Sequence, residues 1–142
     1  MLSLRWSNDV DPPLVAAYDA EAERVGNPTG LVLAPPPGSP TSVFVSRDPN
    51  AAWARLGPYL LHDARAYAAW MDAAGTDSAS RSDAGTVEEL RAEAGPYRIV
   101  EPATASELLR ADGLLSTQPL CGGIPPDRAW PSLHLIGAEV LP

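Results

Sequence analysis

The residues with the clearest chemical potential lie in one short loop, Pro119–Pro126, which joins a predicted strand to a predicted helix. Its Gly122 and Gly123 lack side chains, so the backbone could approach a bound cofactor closely, and the N-terminus of the next helix would favour an anion. The favoured interpretation, however, is a tight turn that needs a positive φ angle. The sequence contains neither a dinucleotide-binding glycine motif nor a P-loop, so this loop alone does not identify a ligand.

Arg47 is the second candidate for a binding role. It directly follows Thr41–Ser46, a β-branched and aromatic run that is the best strand candidate in the chain. Residues at the carboxyl ends of barrel strands face the active site, so Arg47 could contact a cofactor or a substrate. The alternative is a surface ion pair. The neighbouring Asp48 is better explained as the N-cap of a helix, because Pro49 follows it.

A single cysteine and two histidines are the other candidates for reactive groups. Cys121 could act as a nucleophile only with a base nearby, whereas His62 and His134 lie in predicted helices far from it in sequence. A buried, inert thiol is therefore the favoured interpretation of Cys121. Both histidines are interpreted first as structural. We predict no metal site.

Four aromatic residues fall on the apolar faces of predicted helices. They are interpreted as anchors of the core or of a subunit interface, with stacking on a cofactor as the alternative. These residues are Trp53, Tyr67, Trp70 and Trp130.

Length and composition restrict the classes of protein that remain. The 142 residues suffice for one hydrophobic core, and 45% hydrophobic with 20% charged residues excludes wholesale disorder. The formal net charge is -8, and all ten basic residues are scattered arginines, which argues against nucleic acid or a membrane as a partner. Residues 1–11 lack the apolar stretch of a secretory signal, and the lone cysteine fits a reducing compartment. We therefore predict a cytoplasmic protein.

Sixteen prolines and eleven glycines divide the chain into alternating predicted helices and strands. A polar segment at about residues 75–85 is predicted to be a mobile loop. The alternation predicts an α/β protein in which helical crossovers join parallel strands. The predicted strands are Thr41–Ser46, Tyr97–Val100 and Leu114–Gln118. The predicted helices span residues 11–25 (with Asp11 as the cap), 48–75 (with a kink or break at Gly57 and Pro58), 86–93, 104–113 and 127–141.

The length of the chain excludes a closed α/β barrel and leaves two other α/β architectures open. A closed eight-stranded α/β barrel needs about 250 residues, so this chain cannot close one alone. It is either a small open α/β domain or an arc of a barrel that further polypeptide completes.

Two blocks of sequence bear on that choice. The first runs from Val43 through Trp70, and the second is the Pro119–Pro126 loop followed by Trp130, Ser132 and Leu133. Together they resemble the C-terminal region of bacterial luciferase-like flavin-dependent oxidoreductases. The resemblance implies that Thr41–Ser46 is the next-to-last strand of a TIM-type (β/α) barrel and that Leu114–Gln118 is the last.

This resemblance supplies the functional expectations. It implies that residues 1–142 form one domain, a partial TIM-type (β/α) barrel, that binds FMN or a deazaflavin coenzyme. The implied activity is that of a flavin-dependent monooxygenase or oxidoreductase acting on a small organic substrate. Gly122, Gly123 and Arg47 are the expected cofactor contacts, and no catalytic residue is assigned. For His62 the resemblance also implies a role beside the flavin or at an interface, as the alternative to a structural role. Activity is expected to need an upstream segment, a partner chain or a homo-oligomer that completes the barrel. The alternative is a non-catalytic, truncated relic that acts as an oligomerisation or interaction module.

Overall fold

A computed structural model describes residues 12–28, 35 and 38–141 of the chain. The chain divides after residue 36, and the two parts are described separately. In the first part, helix α1 spans Pro12–Arg24, as predicted, with Arg24 paired to Glu21 at 2.5 Å. The predicted cap Asp11, like the rest of residues 1–11, lies outside the described residues. None of the described helices is both long enough and apolar enough to cross a bilayer.

The second part begins with strand β1, Ser42–Val45, and the long helix α2, Pro49–Ala74. The Asp48 side chain caps α2 by accepting from the Ala51 amide at 2.9 Å, and Gly75 ends the helix at a φ of 63°. The helix continues through Gly57 and Pro58, so the predicted break there is wrong, whereas the kink given as its alternative stays a prediction. Packing overrides the proline here, because buried residues on both sides of it, Trp53, Leu56 and Leu60, hold the helix against the same core.

The remaining elements follow the predicted order with shifted boundaries. Helix α3 spans Val87–Glu93, close to the predicted range, and begins with a capping box between Thr86 and Glu89. Strand β2, Tyr97–Val100, is also confirmed. Helix α4, Pro102–Asp112, begins earlier than the predicted start at Thr104, because proline is well accommodated in its first turn. Helix α5, Pro126–Leu135, continues into a π-helical turn, Ile136–Val140.

The two strands pair in parallel, with Ser42 opposite Tyr97 and Val45 opposite Val100. The predicted third strand, Leu114–Gln118, is wrong, although it lies beside β1. The Val43 amide donates to the Ser116 carbonyl at 3.0 Å, but the Val45 amide donates instead to the Ser132 hydroxyl at 2.8 Å. Helix α5 therefore occupies the half of the β1 edge that a full strand would need.

Apolar side chains cover both faces of this small sheet. With five α-helices and two parallel strands, the described part of the chain is helix-rich and of the α/β class. One cluster joins β1 and β2 to α2 and α3; it includes Phe44, Trp53, Leu60, Leu90 and Tyr97. The other joins them to α4 and to the π-helical turn Ile136–Val140, called the C-terminal turn below; it includes Val45, Ala105, Ile136 and Val140.

The loop predicted to be mobile, at about residues 75–85, makes several specific contacts. Ser80 is buried and its hydroxyl bonds to that of Thr41 at 2.9 Å. The Ser82 hydroxyl donates to Glu93 at 2.6 Å, and Arg81 bridges two acidic residues, Asp72 and Asp83. These contacts attach the loop to α2, to α3 and to Thr41, the residue before β1. The mobility of the loop stays a prediction.

Two serines beside β1 allow a matched test of buried hydroxyl groups. The Ser42 hydroxyl is buried and has no hydrogen-bond partner among the described residues, whereas Ser132 accepts from the buried Val45 amide. We expect Ser42→Ala to leave the free energy of unfolding unchanged or slightly raised, and Ser132→Ala to lower it by about 1–3 kcal/mol. Urea denaturation of both variants provides the measurement. Equal losses would contradict the assignment of these bonds.

Candidate functional site

The Pro119–Pro126 loop contains a single 3-10 turn, Cys121–Gly123, that packs against the middle of helix α2. At Gly122 a side chain is impossible without movement, since a Cβ atom would lie 2.0 Å from the Tyr59 carbonyl oxygen. Its φ angle of 59° also favours glycine. Close approach to α2 therefore accounts for this glycine. Gly123, with a φ of 79°, has open space at the Cβ position.

Asp63 of helix α2 holds this loop in place. One carboxylate oxygen accepts from the Gly122 amide at 2.9 Å, and the other accepts from the Tyr97 hydroxyl at 2.9 Å. Tyr97 is almost completely buried at the start of β2. The three groups thus connect a loop, a helix and a strand through one carboxylate. Burial, followed by the Asp63 charge, raises the pKa of Tyr97 far above its ordinary value, so the hydroxyl stays a donor.

The role of Asp63 was not predicted from the sequence, because its neighbour His62 was the more obvious candidate for chemistry. A signal was present: Asp63 lies four residues after Tyr59, which places both on the helix face that meets the loop. His62 itself is exposed, as is His134. Neither forms a hydrogen bond or ion pair with Cys121 among the described residues.

Cys121 lies in the same turn and is partly buried. Burial, with a smaller contribution from the Asp63 charge, raises the pKa of its thiol to about 12. The thiolate is the reactive form of cysteine, so this environment opposes nucleophilic chemistry.

The thiol is therefore expected to react slowly in the folded protein. At neutral pH, iodoacetamide should modify Cys121 far more slowly in the native state than after denaturation in urea. Mass spectrometry of quenched samples gives both rates. A native rate equal to that of the unfolded chain would contradict the raised pKa.

The same shift predicts a pH dependence of stability. The ordinary pKa of the thiol is 9.0, and folding raises it to about 12, so between these values the unfolded chain binds fewer protons than the folded one. The contribution of Cys121 is therefore complete below pH 9 and is lost as the pH rises towards 12. Tyr97 acts in the same direction. Urea midpoints measured across this range should fall, and fall less in Cys121→Ala.

Arg47 lies elsewhere. It lies two residues after the end of β1 and pairs with Glu139 of the C-terminal turn, with three quarters of its side chain exposed. Gly122 is instead tied to Tyr97, the first residue of β2, through Asp63. The structure therefore brings Gly122 and Gly123 into one turn but does not bring Arg47 to them.

The aromatic candidates also separate. Trp53 is buried in the core, as predicted, whereas Trp70 and Trp130 are 61% and 54% exposed. Tyr67 is half-buried and its ring lies 5.5 Å from that of Trp70. A core position is thus confirmed for Trp53 and wrong for the two exposed tryptophans, for which a place in a subunit interface stays a prediction.

The depressions on the described surface include the following two. One, of about 390 Å³, is bordered by Asp77, Arg81, Ser82, Asp83 and Glu93. The other, of about 420 Å³, lies along α5 and is lined by Asp127, Trp130, Pro131 and His134. Among residues 12–28, 35 and 38–141, no group of three or more acidic, histidine or cysteine side chains is arranged to hold a metal ion.

Comparisons with protein-family models, with curated proteins and with solved structures found no match to this chain. The resemblance to luciferase-like oxidoreductases therefore stays a hypothesis drawn from the sequence.

Proposed function

We propose that this chain is the C-terminal part of a luciferase-like flavin-dependent oxidoreductase, a partial (β/α) barrel that further polypeptide completes for catalysis on a small organic substrate. The observation that carries the proposal is the hydrogen bond from the Val43 amide to the Ser116 carbonyl at 3.0 Å. It joins the two segments that the resemblance assigns to the next-to-last and last barrel strands. Consecutive strands of such a barrel are neighbours and parallel strands bind ligands at their carboxyl ends.

Arg47 is the proposed contact to the flavin. It follows the carboxyl end of β1, and its guanidinium could bind the phosphate of FMN or of a deazaflavin coenzyme in two parallel hydrogen bonds. Its present partner is Glu139, and because three quarters of the Arg47 side chain is exposed, an incoming phosphate can replace that carboxylate. In this proposal Gly122 fastens the loop to α2, and Gly123 keeps an open backbone surface.

A titration of the purified chain tests the phosphate contact without requiring turnover. FMN should bind weakly, with quenched flavin fluorescence, and riboflavin, which lacks the phosphate, should bind less. Arg47→Gln should bring FMN to the level of riboflavin, whereas Glu139→Gln should strengthen FMN binding. Arg55→Gln, at another exposed arginine, is the matched control. A deazaflavin coenzyme is titrated in parallel.

Absence of binding by either coenzyme at high micromolar concentration would overturn the proposal. It would favour the second candidate, a non-catalytic interaction module. One observation supports that alternative: helices cover both faces of β1 and β2, and Gly122 and Arg47 are engaged in internal contacts.

A further inference from the structure

The outer face of helix α5 combines an exposed aromatic surface with a negative charge. Asp127, Trp130, Pro131 and His134 recur at intervals of three, four and seven residues from the first, which places them on one stripe of the helix. Residues on the opposite side, Ala129 and Ser132, are buried. The stripe borders the depression of about 420 Å³.

The two aromatic rings of this stripe lie next to each other. The centroids of Trp130 and His134 lie 5.7 Å apart, and their planes are inclined by only 31°. Trp130 is nevertheless 54% exposed, which is unusual for so large an apolar side chain. Pro131 adds a flat, apolar surface beside it. A face of this kind provides stacking area without closing around a ligand.

The charges around the stripe favour one kind of partner. The only cation in the first turn of α5, Arg128, is turned away: it lies over the Tyr59 ring at 5.8 Å and donates to the Tyr59 hydroxyl at 3.2 Å. Asp127 remains as the charged group on the depression. The whole chain carries a formal net charge of -8, which repels a second copy and attracts a basic partner.

We propose that this stripe is a docking site for a basic, extended peptide segment of another protein, in which an arginine stacks on Trp130 and pairs with Asp127. A guanidinium binds well to an aromatic face and to a carboxylate at once. Aromatic grooves also receive proline-containing extended peptides, whose ordering on binding costs little. The proposal is independent of any flavin site.

A short synthetic peptide of alternating arginine and proline residues tests this docking site. Its addition should shift the indole N–H resonance of Trp130 in NMR spectra while that of Trp70 stays in place. Trp130→Ala should weaken binding by about tenfold or more, as expected for a central aromatic anchor. Trp70→Ala, at a tryptophan that is 61% exposed on α2, is the matched control and should bind normally. Asp127→Asn should weaken binding several-fold.

Three outcomes would overturn the proposal. The first is no shift of the Trp130 resonance by the arginine peptide. The second is equal binding of a citrulline–proline peptide, which keeps the shape but lacks the charge. The third is a dimer of the free chain in sedimentation that Trp130→Ala abolishes, because a second copy would then cover the stripe. Circular dichroism of Trp130→Ala should match the parent chain, since the side chain is largely exposed.

Discussion

Gly122→Ala is expected to lower the free energy of unfolding by about 3 kcal/mol or more. The new methyl group would lie 2.0 Å from the carbonyl oxygen of Tyr59, which is helix backbone and cannot rotate aside. Overpacking of this kind costs about 1–3 kcal/mol, and a left-handed backbone at a residue other than glycine costs about 1–3 kcal/mol more. The loop must therefore leave helix α2, and the bond from its amide to Asp63 is lost with it.

Gly123→Ala is the control for this experiment. Gly123 also has a positive φ, 79°, but nothing lies within 4 Å of its Cβ position. Gly123→Ala should lower the free energy of unfolding only by the cost of a left-handed backbone at alanine, about 1–2 kcal/mol. Urea denaturation followed by circular dichroism measures both variants. If the two substitutions cost the same, the close packing of the turn on α2 is refuted.

Asp63→Ala is expected to destabilise the protein by about 2–4 kcal/mol. It removes the acceptor of two partly buried donors, the Gly122 amide and the Tyr97 hydroxyl, both at 2.9 Å. Each donor left without a partner costs about 1–3 kcal/mol. Asp63→Asn should also be costly, because its amide nitrogen would face one of the two donors. Asp72→Ala, at an exposed carboxylate of the same helix, should change stability by less than about 1 kcal/mol.

The coupling between Asp63 and Tyr97 can be measured directly. Tyr97→Phe removes the hydroxyl, so the loss caused by Asp63→Ala should be smaller in that background. A double-mutant cycle in urea should give a coupling energy of about 1 kcal/mol. Strict additivity of the two substitutions would show that the hydroxyl and the carboxylate do not interact.

Local sequence signals predicted most of the helices because their causes are local. Asp48 with Pro49, and the Thr86–Glu89 capping box, satisfy backbone donors within a few residues of themselves. Gly75 and Gly113 end helices by adopting positive φ angles that glycine tolerates. The strand Tyr97–Val100 was equally visible from its composition. None of these features requires knowledge of a distant residue.

The candidate site was only partly predictable. Sequence spacing identified the Pro119–Pro126 loop, but the reason for its glycine lies on α2, in the backbone of Tyr59. The role of Asp63 was not predicted, because the sequence around a carboxylate on a helix does not indicate that it will accept hydrogen bonds from a loop amide and a buried hydroxyl. Arg47 was noticed for its place after a strand, whereas its pairing with Glu139 joins residues far apart in the chain.

By itself the amino-acid sequence determined the α/β class, the order of the helices and of the two strands β1 and β2, and most helix ends, since capping, proline geometry and apolar periodicity act over a few residues. Tertiary structure alone decided that α2 continues through Pro58, that Ser132 displaces a third strand from β1, and that Asp63 fastens the loop. These outcomes depend on which buried donors and side chains meet across long separations. These long-range contacts are set by the packing of the whole fold, which cannot be inferred from any short segment.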